Sequence, residues 1–138
     1  MTEYFAILSF HTGKALTLPW NFTEENVLKL SEFEEEDNQF WFWDGRAIRS
    51  KYHPNKALDF HYYSWKRTGR GKVYLYDYHG KPNQRWNLVN GEFILGYQNL
   101  RLQDQDGFVT CDASDIRKNQ KWTIEVTSKR YLLTVCTL

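Results

Sequence analysis

A chain of 138 residues with 18 basic and 17 acidic side chains is close to neutral, so no whole-molecule field directs it to nucleic acid or to an anionic membrane. Its two cysteines are too few for a disulfide framework, and no apolar run is long enough to cross a bilayer as a helix. Six Trp, nine Tyr and nine Phe are more aromatics than one small core uses, which points to strands and to binding surface.

Short apolar, β-prone stretches separated by Gly, Asn, Asp and Pro follow one another from end to end, and helical periodicity is nearly absent. The first third is predicted to hold strands at Tyr4–Ser9, Ala15–Leu18, Val27–Phe33 and Gln39–Trp43. The second holds Ala47–Ser50, Ala57–Phe60, Val73–Tyr78 and Arg85–Val89. The third holds Glu92–Gly96, Leu100–Gln103, Phe108–Asp112 and Lys121–Val126, and a last stretch, Arg130–Thr137, is expected to close the sheet against the first strand. Asp44-Gly45 and Asn90-Gly91 follow the last strands of the first two thirds, and both dipeptides are strong hairpin signals. The acidic run Glu34–Asp37 reads as a solvated loop.

The thirds are copies of one unit. Asn-Gln-x-Trp occurs at Asn38–Trp41, Asn83–Trp86 and Asn119–Trp122, and a second marker, Leu16, Leu58 and Leu100, recurs 42 residues apart. The expected organisation is one domain over residues 1–138, with repeats at about 4–45, 46–91 and 92–138. The motif tryptophans read as core, and the motif amides as partners of buried backbone.

These tetrapeptides, each preceded by a strand such as Ala57-Leu58-Asp59-Phe60, resemble the Gln-x-Trp repeats of ricin B-type (R-type) lectins over nearly the whole chain. The resemblance implies an all-β fold, a β-trefoil of three pseudo-symmetric four-stranded repeats forming a six-stranded barrel capped by three hairpins. It also implies a non-catalytic lectin that binds terminal galactose or N-acetylgalactosamine of glycoproteins or glycolipids and uses no cofactor and no metal. Ala15 and Ala57 stand where many secreted relatives carry cysteine, which favours a reducing compartment or a lineage held by its core alone. The opening Met1–Phe5 shows no signal, so the chain is expected to be cytoplasmic, or secreted after a signal was removed.

A shallow sugar site needs a carboxylate for adjacent hydroxyls, an amide beside it and a ring against the apolar sugar face. By the resemblance the second repeat supplies all three, with Asp59 gripping hydroxyls, Tyr76 stacking, Asn83 bonding the same hydroxyl pair and Gln84 steadying Asp59 from behind. Tyr74 and His79 complete the candidate set. The first repeat has Thr17 at the carboxylate position and Ser31 at the ring position. The third has Arg101 in place of the carboxylate and Asp112 in place of the ring, with Asp104 and Asp106 in a shortened loop that could reach a ligand differently.

Catalysis is not expected, since His11, His53, His61 and His79 show no metal-ligand spacing, and no nucleophile or phosphate-loop motif is present. The alternative reading is a protein- or nucleic-acid-interaction trefoil using the basic aromatic loop 62–72, where Lys66, Arg67, Arg70 and Lys72 stand beside Tyr62, Tyr63 and Trp65. The lectin reading expects no nucleic acid and no membrane insertion. One weak site per chain favours avidity through a homodimer, for which Trp20, Phe22 and Trp65 are candidate contacts.

Overall fold

The computed structural model describes residues 2–22, 28–61, 71–96 and 98–126. Among the described residues the alternating stretches form twelve strands: β1 (Phe5–Ser9), β2 (Ala15–Thr17), β3 (Lys29–Ser31), β4 (Trp41–Asp44), β5 (Ala47–Ser50), β6 (Lys56–His61), β7 (Gly71–Asp77), β8 (Trp86–Val89), β9 (Glu92–Leu95), β10 (Leu100–Gln105), β11 (Phe108–Asp112) and β12 (Trp122–Val126). Asp37–Gln39 and Pro82–Gln84 are single turns of 3-10 helix that lead into β4 and β8. Two predicted strands therefore start late: Gln39 and Arg85 belong to these turns and their exits, because the motif Asn and Gln bend the chain before the Trp enters the barrel.

Six strands make a ring. β1 pairs with β4, β4 with β5, β8 with β9 and β12 with β1, all antiparallel. Single backbone bonds join the remaining neighbours: Trp86 N–H donates to the Arg46 carbonyl at 2.9 Å, and Trp122 N–H to the Gly91 carbonyl at 2.8 Å. The hairpins β2–β3, β6–β7 and β10–β11 lie over one end and touch through β3–β11 and β7–β11. This is the β-trefoil that the resemblance implied.

Ring closure differs from expectation in one respect. The strand alongside β1 is β12, in register from Phe5 opposite Val126 to Ser9 opposite Trp122. The predicted closing stretch Arg130–Thr137 lies outside the described residues, as does most of the basic loop 62–72.

Side-chain alternation decides which face of each hairpin is buried. In β6 and β7, Leu58, Phe60, Val73 and Leu75 point into the core, whereas Asp59, Tyr74 and Tyr76 share the opposite face. Trp41, Trp86 and Trp122 are buried in the same way, and each indole N–H finds a strand carbonyl: Leu16 at 3.3 Å, Leu58 at 3.2 Å and Leu102 at 3.0 Å. Satisfying that donor is what lets a Trp sit in an apolar core. Gly71, where β7 begins, packs so closely on Phe60 that a Cβ there would overlap its ring.

These indole bonds correct the sequence register. Leu16 and Leu58 are equivalent, but the third member of the set is Leu102 and not Leu100. Leu100 and Leu102 both face the core, which is why the 42-residue spacing misleads. The position matching Asp59 in the third repeat is therefore Gln103, and Arg101 matches Ala57.

Candidate functional site

The motif glutamines set the geometry of each third. Gln84 is fully buried; its Nε2 donates to Asp59 Oδ2 at 2.7 Å and to the Asp77 carbonyl at 2.9 Å. Its Oε1 accepts from the backbone N–H groups of His79 and Gly80 at 3.0 and 3.2 Å. Gln39 and Gln120 repeat the scheme, donating to Thr17 Oγ1 and Gln103 Oε1 and to the carbonyls of Glu32 and Ala113, and accepting from Glu34 and Asp115 N–H. One amide thus ties the inner strand of each hairpin to the chain leaving its outer strand. Only in the second third is the tied group a carboxylate.

Around that carboxylate the structure brings the named side chains together. Asn83 Nδ2 donates to Asp59 Oδ1 at 2.7 Å, so one motif amide serves each carboxylate oxygen. Hydrogen bonds to a charged acceptor are worth about 1.5–3 kcal/mol each, enough to fix the rotamer. His79 Nδ1 accepts from Lys81 N–H at 3.0 Å, which leaves the imidazole proton on Nε2, 3.4 Å from Asp59 Oδ2. Burial pushes the Asp59 carboxyl above the usual carboxylate range, while Gln84, His79 and Asn83 pull it back down in part.

The aromatic residues follow from strand register. Tyr74 stands directly across from Asp59 and Tyr76 across from Ala57, so both lie on the Asp59 face. Rings of His61, Tyr74, Tyr76 and His79 follow one another with centroids 5.5, 6.0 and 6.3 Å apart. Tyr76 is the most open of the two tyrosines, 39% exposed, whereas Asp59 is only 1% exposed behind Asn83 and His79. Lys56 and Asp77 close the rim with an ion pair of 2.6 Å.

The other thirds keep the frame without the chemistry. In the first, Thr17 bonds Ser31 at 2.7 Å, and Asn38 Nδ2 turns to the Leu18 carbonyl at 2.8 Å. In the third, Gln103 lies opposite Thr110, and Asp112 holds Lys118 at 2.6 Å where Tyr76 would be. Sequence reasoning missed the Gln103–Gln120 pair, because the shortened third hairpin brings the paired residue nearer to the motif than in the other thirds and no fixed count from the motif or from Leu100 reaches it.

No protein-family model matches the chain, and no curated protein matches it in sequence. Solved structures do match in shape. A designed threefold symmetric protein, ThreeFoil, superposes with a TM-score of 0.73 at 22% identity, over 88% of this chain and 97% of that one. The C-half of an earthworm R-type lectin, solved with GalNAc, gives 0.73 at 19% identity, over 91% and 99%. The agglutinin from Abrus precatorius gives 0.74 at 24% identity, over 91% of this chain and 49% of that one. The R-type lectins among these neighbours share with this chain one architecture, the β-trefoil.

Proposed function

We propose that the chain is a non-catalytic R-type lectin that binds terminal galactose or N-acetylgalactosamine through its second repeat. The observation that carries this reading is the Asp59 carboxylate with one oxygen held by Asn83 and the other by Gln84, on the face that also presents Tyr76. Each carboxylate oxygen keeps a lone pair for a hydroxyl, Asn83 adds an amide, and the open Tyr76 ring offers its face to the sugar. In this reading the incoming hydroxyls displace His79 Nε2 from Asp59 Oδ2. Support from shape comes from the earthworm neighbour, which was solved with GalNAc bound.

A site of this kind yields dissociation constants on the order of a millimolar, about 4 kcal/mol, so avidity through a second chain belongs to the proposal. The test is a glycan array with the native chain and Asp59→Ala. The native chain should select galactose-terminated glycans and the variant should lose them; an unchanged profile would move the site elsewhere.

A further inference from the structure

A second hollow lies between the tip of the third hairpin and the β1–β2 turn. Its volume is about 250 Å³, and His11, Lys14, Asp104, Asp106 and Asn119 line it. A neighbouring hollow of about 360 Å³ shares His11 and Asn119 and is walled by Phe10, whose ring is 75% exposed. The space exists because β10 and β11 are joined by Asp106-Gly107 alone, where residues 18–28 and 62–70 connect the other two hairpins. Both turn residues are left-handed, with φ of 53° and 88°, as a two-residue hairpin turn requires.

The hollow shares Asn119 with the third-repeat equivalent of the second-repeat cluster but is not centred on it. The equivalents of Asp59 and Tyr76 are Gln103 and Asp112, and neither lines it. Its carboxylates are one step further along the hairpin. Asp104 is 5% exposed and held by Ser9 Oγ–H at 2.9 Å and Gly107 N–H at 3.0 Å, each to a different oxygen. Among the described residues no hydrogen bond or ion pair engages the side chains of His11, Lys14, Asp106 or Asn119.

The balance of charge selects the ligand class. Two carboxylates repel an anion, and among the described residues no group of three or more His, Cys, Asp or Glu side chains is arranged to hold a metal ion. A neutral polyhydroxylated molecule meets both kinds of wall, donating hydroxyl protons to Asp104 and Asp106 and accepting from Lys14 and Asn119, with Phe10 beside it for the apolar face. The volume lies just below the ~300–1,000 Å³ of pockets for drug-sized ligands and suits one sugar ring. We infer that this hollow is a second, asymmetric saccharide site, built by the short third hairpin and the β1–β2 turn. Its ligand class rests on the lectin reading; its location does not.

Titration of the full-length Asp59→Ala protein separates the two sites. Free galactose, N-acetylgalactosamine, glucose and mannose would be added in turn while backbone amide shifts of His11, Gly13, Gly107 and Asn119 are followed. At least one sugar should move these amides saturably. Asp106→Asn keeps a residue that tolerates the left-handed turn but removes the charge, and Phe10→Ala alters an exposed ring, so both should fold. Asp106→Asn should weaken that binding about tenfold or more, the effect of one hydrogen bond to a charged group, and Phe10→Ala should weaken it by removing the apolar contact. Absence of saturable shifts with all four sugars, or affinity unchanged by either substitution, would overturn the inference, as would shifts produced by inorganic phosphate alone. Loss of array binding in the same Asp59→Ala background bears on the second repeat only, so either site can fail without the other.

Discussion

At the scale of single residues, the centre of the proposed lectin site is a carboxylate held where a charge is costly. Burial raises the Asp59 carboxyl above the ordinary aspartate value of 3.8, and its three neighbours offset only part of that. The sign for stability follows from the raised value: the group's contribution is fully present below the ordinary aspartate value and is lost as pH rises through the raised one. Ionised Asp59 therefore destabilises the fold at neutral pH. Sugar binding needs the ionised acceptor and has the opposite sign. Acidification through the raised value should weaken glycan affinity while this group's stability contribution grows, as parallel calorimetric titrations and melting curves across a pH series would record. Affinity unchanged over that window would mean that the Asp59 charge takes no part.

The tetrapeptides were legible as residues because Trp and an amide pair are rare enough to mark a copy. What sequence could not show is how differently three identical asparagines would be used. Asn83 holds a carboxylate, Asn38 holds the Leu18 carbonyl, and the Asn119 side chain is left to a hollow. That choice depends on the residue opposite, which is brought near only by folding.

At the scale of elements, nearly every predicted strand exists, since alternation and turn dipeptides are local signals. Ala47–Ser50 and Phe108–Asp112 fall on the predicted boundaries. Register was harder. The third hairpin places Leu100 and Leu102 on the same face, so both satisfy the apolar pattern and only the Trp122 indole bond distinguishes them. Strand packing also makes a firm prediction at Gly71, which lies opposite Cys111 with the Phe60 ring against its Cα. Gly71→Ala should force that ring off its rotamer and destabilise the protein by about 1–3 kcal/mol, read as a lower denaturant midpoint with an unchanged slope.

At the scale of the whole molecule, the barrel is a ring whose last described strand seals it against the first, so stability is shared rather than divided among thirds. β12 pairs with β1 along five residue pairs, and Trp122, at its start, is only 4% exposed in the common core. Trp122→Ala should cost about 3–5 kcal/mol against a total of about 5–15 kcal/mol for a domain. Loss should appear as one cooperative transition in both circular dichroism and tryptophan fluorescence. A separate early transition would mean that the third repeat melts alone.

The two-residue offset between Leu100, where the sequence spacing points, and Leu102, the structural equivalent of Leu58, governs any attempt to transplant chemistry among the thirds. An engineer who copies the middle carboxylate by counting along the chain would install it at Arg101, where Ala57 has its counterpart, with no motif amide behind it. Traced through the Gln120 hydrogen bond, the graft belongs at 103, and the lysine-bound Asp112 must be exchanged for a ring at the same time. Pseudo-symmetry here is a property of the hydrogen-bond scaffold, and residue numbers follow it only loosely.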